Sequence, residues 1–270
     1  MSEILKPVVT AVAEPRPDGE KITRAVLAFP GKLPNVDDIE AVGRTVVGRE
    51  TDGSTVTLLL SEEDEAAVVL PQPKDVPEGT PPWELPERKR RPIEVEVRIP
   101  GCAETVRSTR AREPVIEEFT QSRYKSLPYN LYTPKHMEPG KKYPLVMFIP
   151  VASVNGGDAL AALSQGAGAT VWAESGEQEK RPCYVLAIQV PKSVRLTMPG
   201  FQAGPGLEEV RELVDKIVAE NRIDPDRVYA TAFPENDDRA LIPIAHHSRG
   251  WELTYQLEAA REWLFAQTRR

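Results

Sequence analysis

The sequence predicts two domains of different fold class, an all-β domain over residues 1–118 and an α/β domain over residues 119–270. Three observations support this division. Short apolar runs separated by turn residues fill the first part, prolines concentrate between residues 71 and 92, and apolar runs alternate with helical patterns from residue 119 onward. A chain of 270 residues is long enough for two domains of ordinary size.

The first domain is predicted to be a small β-sandwich of the immunoglobulin type. Apolar and charged side chains alternate along residues 93–99, as expected when one face of a strand packs on a core and the other meets water. Short runs rich in Val, Ile, Leu and Thr, about as many as a sandwich needs, are separated by turn clusters. The predicted strands cover residues 7–13, 22–29, 39–47, 55–60, 66–70 and 93–99.

The proline-rich segment 71–92 is predicted to be a stiff loop or hinge. It contains seven prolines, each of which lacks an N–H for a β-ladder and has a fixed φ. Trp83 lies in its middle. Either Trp83 pins the loop to the sandwich or it stacks on a ligand.

The second domain has the pattern of a mostly parallel sheet flanked by helices. Buried strands are predicted at 143–149, 183–190 and 227–233, because each is a short, nearly continuous apolar run. Residues 159–170 predict a helix or helix pair broken by glycines. One-sided helices are predicted at 207–221 and 253–268, the latter with Leu257, Ala260, Trp263 and Leu264 on its apolar face.

Composition excludes several classes of partner. The formal net charge is −7, so no basic field attracts nucleic acid or anionic lipid. No apolar run is long enough for a membrane span and the start lacks a signal-peptide pattern, so a cytoplasmic protein is expected. Cys102 and Cys183 lie in different predicted domains and are expected to be free thiols. No metal-ligand spacing or cofactor motif is present, so no metal or cofactor is expected.

Several segments of the second domain resemble one enzyme family. They are residues 127–134, 141–148, 168–173 and 223–229, with 251–255 and 263–267 near the end. Together they resemble the α/β-hydrolase esterases of the predicted-peptidase or polyhydroxybutyrate-depolymerase-like group, some of which carry an N-terminal immunoglobulin-like domain. The resemblance implies an immunoglobulin-like sandwich followed by an α/β-hydrolase domain, here reduced in size. It also implies a serine nucleophile, a histidine base, an orienting aspartate and an amide oxyanion hole.

Two parts of that machinery are altered in the sequence. The nucleophile elbow, Gly-x-Ser-x-Gly, is missing, since the segment Thr231-Ala232-Phe233-Pro234 has neither the serine nor the glycines. The segment Pro150-Val151-Ala152-Ser153 replaces the family's His-Gly-rich oxyanion loop. Three serines could replace the missing nucleophile: Ser153, Ser164 and Ser193. In the alternative interpretation, each of them is only a solvated serine or a turn residue.

The resemblance also suggests a relict acid and base. Asp237 matches the triad aspartate, although a polar turn after a strand explains the same residues equally well. His246 and His247 either follow the aspartate loop as structural residues or supply the triad histidine ahead of Trp251. A histidine pair without a third ligand is not a metal site.

The sequence therefore supports three hypotheses. The first is an esterase-lineage protein for small carboxylic esters, catalytically impaired by the missing elbow and altered oxyanion loop. The second is a non-catalytic binding or assembly protein on a hydrolase scaffold. The third is an internally shortened form of an active serine esterase. Because a shortened sheet leaves an edge or apolar surface exposed, a homo-oligomer is expected.

Overall fold

The computed structural model describes residues 6–80, 84–194, 197–198, 202–203, 206–232 and 258–268. Two sheets occupy the first part of the chain. The larger has the strand order β4-β5-β2-β1-β8, antiparallel except for the parallel pair β1–β8; the smaller has the order β3-β6-β7. The strands are β1 (Val8–Glu14), β2 (Lys21–Ala28), β3 (Glu40–Ala41), β4 (Val46–Asp52), β5 (Thr55–Leu60), β6 (Glu96–Arg98), β7 (Val106–Arg107) and β8 (Arg110–Arg112).

One hydrophobic core lies between these two sheets. Every second residue of β5 is buried, which directs Val56, Leu58 and Leu60 to the same face. They belong to one cluster with Ala41 and Val97 of the smaller sheet. Both sheets therefore bury their apolar faces against each other.

The predicted strand 39–47 is wrong as a single element. β3 ends at Ala41, and Gly43 has a φ of +68°, a conformation that favours glycine because it has no Cβ. The chain turns there, so that β3 and β4 belong to different sheets. The predicted strand 66–70 is instead a 3₁₀ turn over Glu65–Ala67 followed by buried residues.

A third sheet forms the centre of the second part of the chain. Its order is β15-β11-β12-β10-β9, with β11 parallel to β12 and β15 and with β10 antiparallel to both neighbours. The prediction of parallel strands is thus correct for three of the five strands. The five are β9 (Thr120–Tyr124), β10 (Leu127–Tyr132), β11 (Tyr143–Ile149), β12 (Tyr184–Ile188) and β15 (Ile223–Ala232); a separate two-residue pair joins β13 (Thr197–Met198) and β14 (Gln202–Ala203).

Helices cover both faces of this central sheet. The longest, α4, buries Val210, Leu213 and Ile217 in a cluster with Leu145 of β11, whereas Phe148 of β11 faces the opposite cluster. A strand buried on both faces must be apolar at successive positions, as β11 is. The helices are α1 (Ala161–Ser164), α2 (Ala167–Thr170), α3 (Ser175–Lys180), α4 (Gly206–Glu220) and α5 (Glu258–Phe265), and none of those described is long and apolar enough to cross a bilayer.

The orientation of α5 differs from the prediction. Trp263 is 66% exposed, although the periodicity assigned it to the apolar face. The aromatic ring of Phe265 stacks on Trp172 at 5.8 Å and approaches Tyr229 at 5.5 Å. These contacts turn Leu264 and Phe265 toward the core and leave Trp263 outside. Leu257 lies outside the described residues.

The burial of β12 gives a stability prediction. Leu186→Ala should lower the free energy of unfolding by about 2–5 kcal/mol, because Leu186 is fully buried in the central strand and its removal leaves a cavity. Leu207→Ala is the matched control, since Leu207 of α4 is 43% exposed, and its effect should stay within about 0.5 kcal/mol. Urea unfolding measures both; equal losses would contradict the assigned burial.

Candidate functional site

The candidate site lies where the parallel strands β11, β12 and β15 end. Ligands of open α/β sheets bind outside the carboxyl ends of the strands, and all three strands run in the same direction. At this edge, the described loops follow Ile149 of β11 and Ile188 of β12. The predicted residues Asp237, His246 and His247, and the prediction of Trp83 as a loop pin, all lie outside the described residues.

The loop after β11 begins with backbone groups that face the protein. Pro150 has no N–H, and the amide of Val151 donates to Oε1 of buried Gln165 at 3.1 Å. Nε2 of Gln165 donates in turn to the carbonyl of Ala162 at 3.0 Å, which fixes which end of the side-chain amide faces Val151.

The next residues form a 3₁₀ helix over Ala152–Val154. The amides of Val154 and Asn155 donate to carbonyls within this turn at 3.0 and 3.1 Å. The amide of Gly156 donates to the carbonyl of Val190, just after β12, at 3.0 Å. The residue after this turn is therefore hydrogen-bonded to the segment that follows β12.

A carboxylate from the proline-rich segment binds the last amide of this loop. Oε1 of Glu87 accepts a hydrogen bond from Gly157 at 2.6 Å. With this bond, five amides of the loop are engaged within the protein: those of Val151, Val154, Asn155, Gly156 and Gly157. An oxyanion hole requires amide donors aimed at the reacting oxygen, and these five are aimed elsewhere.

Two buried side-chain amides hold the carbonyl side of the same loop. Gln189, fully buried after β12, donates from Nε2 to the carbonyls of Val154 at 2.9 Å and Gly156 at 3.3 Å. Asn130 of β10, also fully buried, donates to the carbonyl of Ala159 at 2.7 Å. Sequence reasoning missed both residues; the available signal was a single polar residue inside each apolar run.

The three candidate serines have different environments. Ser153 is partly buried in the turn after β11, and Ser193 is exposed beyond β12. Ser164 is fully buried, and its hydroxyl donates to Oε2 of Glu20 at 2.7 Å and to the carbonyl of Leu160 at 3.1 Å. The interpretation of Ser164 as a solvated or turn serine is therefore wrong, because it is a buried link to the N-terminal sheets.

Glu20 is the centre of a buried charge cluster. Arg90 donates to its Oε2 at 2.9 Å and also forms an ion pair with Glu113. Burial raises the pKa of Glu20 above its usual value, an effect that outweighs the opposing attraction of Arg90. The cluster contacts α1 through Ser164 and is not among the acceptors of the five loop amides described above.

Cys183 is not a nucleophile in this structure. Its side chain is fully buried, and burial raises the pKa of the thiol to about 12, so the thiolate is scarce at neutral pH. Both cysteines are free, as predicted, and Cys102 is partly buried. Within the described ranges, no group of three or more His, Cys, Asp or Glu side chains could hold a metal ion.

The pH dependence of stability should show whether the pKa of the Glu20 carboxyl group is raised. Its folded pKa is raised, so its contribution to stability is present below the unfolded pKa and is lost as pH rises through the folded pKa. As the pH rises through that range, Glu20→Gln should therefore become more stable relative to wild type. Glu63→Gln, at an exposed position, is the control in urea unfolding from pH 4 to 8. A flat difference would contradict the raised pKa.

Thiol titration should separate the two cysteines. Cys102 should react with a disulfide reagent in the native protein, whereas Cys183 should react only after denaturation, because it is buried and its pKa is about 12. Cys102→Ser should therefore show almost no fast-reacting thiol. Rapid labelling of that variant in the absence of denaturant would contradict the assigned burial.

The architecture is similar to a solved esterase. A crystal structure of a thermostable esterase matches with 20% identity and a TM-score of 0.79, covering 97% of this chain and 100% of the esterase chain. An acylaminoacyl peptidase in complex with Z-Gly-Gly-Phe-chloromethyl ketone matches with 14% identity and a TM-score of 0.30, covering 80% of this chain and 37% of that chain. No protein-family model and no curated protein matches. The chain therefore has the fold of the thermostable esterase.

Proposed function

We propose that this chain is an esterase-lineage scaffold whose hydrolysis of carboxylic esters is impaired. The fold of a thermostable esterase across 97% of the chain supports the lineage. The observation that carries the impairment is the state of the loop after β11, where five amides donate to acceptors inside the protein. These five amides are therefore not available to stabilise the negative oxygen of a tetrahedral intermediate.

The proposal assigns the chain two domains, an immunoglobulin-like sandwich over residues 1–118 and a reduced α/β-hydrolase over residues 119–270. The shared core of the first two sheets supports the sandwich. The central sheet, with helices on both faces and three parallel strands, supports the hydrolase assignment.

The catalytic parts are assigned from the family resemblance alone. Asp237 is proposed as the relict acid and His247 or His246 as the relict base, with a small carboxylic ester as substrate if any activity remains. Ser153 is proposed as the position for a relocated nucleophile, since it lies in the 3₁₀ helix that follows β11 at the carboxyl edge. Ser164 is excluded from that role by its burial and its bond to Glu20.

A non-catalytic binding or assembly role is the second candidate function. The five engaged amides favour it, because donors that are bonded within the protein are not available for a reaction. Self-association into a homo-oligomer is proposed as part of this role. In the described part of the chain, β9 and β15 are the edge strands of the central sheet, and an edge strand can pair with another chain. An internally shortened enzyme remains a third alternative, and a chain that fails to unfold cooperatively would favour it.

Labelling with a fluorophosphonate probe tests the impairment. We expect no serine of the purified protein to be labelled and no hydrolysis of a short-chain p-nitrophenyl ester above the rate of Ser153→Ala. The physical reason is that five amides of the loop after β11 are bonded within the protein and cannot stabilise an oxyanion. Peptide mapping by mass spectrometry locates any adduct, and cooperative urea unfolding verifies that the sample is folded.

An ordinary serine esterase labelled in parallel verifies the probe. Stoichiometric labelling of one serine, lost together with ester hydrolysis when that serine is changed to alanine, would overturn the proposal. Labelling at Ser153 would show a relocated nucleophile and an active enzyme.

A further inference from the structure

A short piece of the proline-rich segment, residues 85–91, is fixed to the N-terminal sheets at one end. We refer to residues 85–91 as the strap. Arg88 is buried and donates to the carbonyls of Leu70 at 2.6 Å and Pro71 at 3.2 Å. The amide of Arg91 donates to the carbonyl of Val69 at 2.7 Å. These bonds set the position of the residues that precede Arg88.

The other end of the strap crosses the carboxyl edge of the central sheet. Glu87 accepts the amide hydrogen of Gly157, in the loop after β11, at 2.6 Å. The ammonium group of Lys192, after β12, donates to the carbonyl of Leu85. The strap thus bridges the ends of two parallel strands, at the edge where ligands of such sheets bind.

The loop is shaped to admit this carboxylate. A Cβ atom built on Gly156 would lie 2.6 Å from Cγ and Oε1 of Glu87, closer than real Cβ contacts allow. A glycine at position 156 is therefore what lets the carboxylate reach the amide of Gly157. A hydrogen bond from an amide to a charged carboxylate is also stronger than one between neutral groups.

We propose that Glu87 is a tethered ligand in a carboxylate-binding site formed by Gly156 and Gly157, and that the strap, held by Lys192, closes this site to carboxylates in solution. Gly157 supplies the donor, Gly156 supplies the space, and Lys192 holds the strap in place through the carbonyl of Leu85. The ligand class is a small monocarboxylate such as acetate. The proposal concerns this contact alone and goes beyond the proposed function, since it holds whether or not the chain hydrolyses esters.

Amide hydrogen exchange in the full chain tests the contact. In Glu87→Ala, the amide of Gly157 should exchange about tenfold faster or more than in wild type, because a hydrogen bond to a charged acceptor is lost. Glu84→Ala is the matched control, since Glu84 is an exposed carboxylate in the same proline-rich segment. NMR exchange rates read out residue 157 directly, and equal rates in Glu87→Ala and Glu84→Ala would overturn the proposal.

A second variant releases the carboxylate without removing it. Gly156→Ala should accelerate the exchange of Gly157 to a similar degree, because its Cβ displaces the flexible end of Glu87. In the Glu87→Ala background, the same substitution should add little. Additive effects of the two substitutions on the exchange rate would contradict the close contact.

A titration with sodium acetate tests the ligand class. The amide resonance of Gly157 should shift saturably in Glu87→Ala and remain unshifted in Glu84→Ala, where the strap still occupies the site. Sodium chloride at equal ionic strength controls for screening. A linear or absent shift in Glu87→Ala would overturn the carboxylate-binding site, whereas absence of ester hydrolysis in every variant would leave this result unaffected and concern only the proposed function.

Discussion

The structure depends on a buried contact between Glu20 and Ser164, which joins the N-terminal sheets to the helices over the central sheet. The amide of Glu20 donates to the carbonyl of Ser164 at 2.9 Å, and the hydroxyl of Ser164 donates back to the carboxylate at 2.7 Å. A fully buried carboxylate is costly unless it is paired, and Arg90 supplies the opposite charge. Because the next residue, Gln165, binds the amide of Val151, the same junction also supports the loop at the carboxyl edge.

That loop is held by three side chains that come from different parts of the chain. Gln165 lies directly after α1, Gln189 lies directly after β12, and Glu87 lies in the strap. Each bond satisfies a backbone group that would otherwise face a cleft or water. Stabilising an oxyanion at the same place would require amide donors that are not already bonded within the protein.

Much of the secondary structure could be predicted from the sequence. Strand β11, helix α4 and the pair α1–α2 follow from continuous apolar runs, 3.6-residue periodicity and glycine breaks, which are local signals. Predictions failed at one glycine turn and where a distant contact decides. Gly43 sends β3 and β4 to different sheets, and Phe265 turns α5 so that Trp263 faces outward. At the candidate site, the sequence indicated the altered residues after β11, but not the amides of Asn130 and Gln189 that hold the loop.

The sequence by itself determined the strands β11 and β12, helix α4, the two-sided burial of the central strands, the free cysteines and the lack of a strand in the described part of the proline-rich segment. These properties depend on side-chain periodicity, cysteine spacing and the missing N–H of proline, which are fixed along the chain. Only the tertiary structure decided that Ser164 is a buried partner of Glu20 and that Glu87 meets Gly157. Each of these pairs joins residues 70 or more positions apart, so their contact depends on how the sheets pack, which no local pattern encodes.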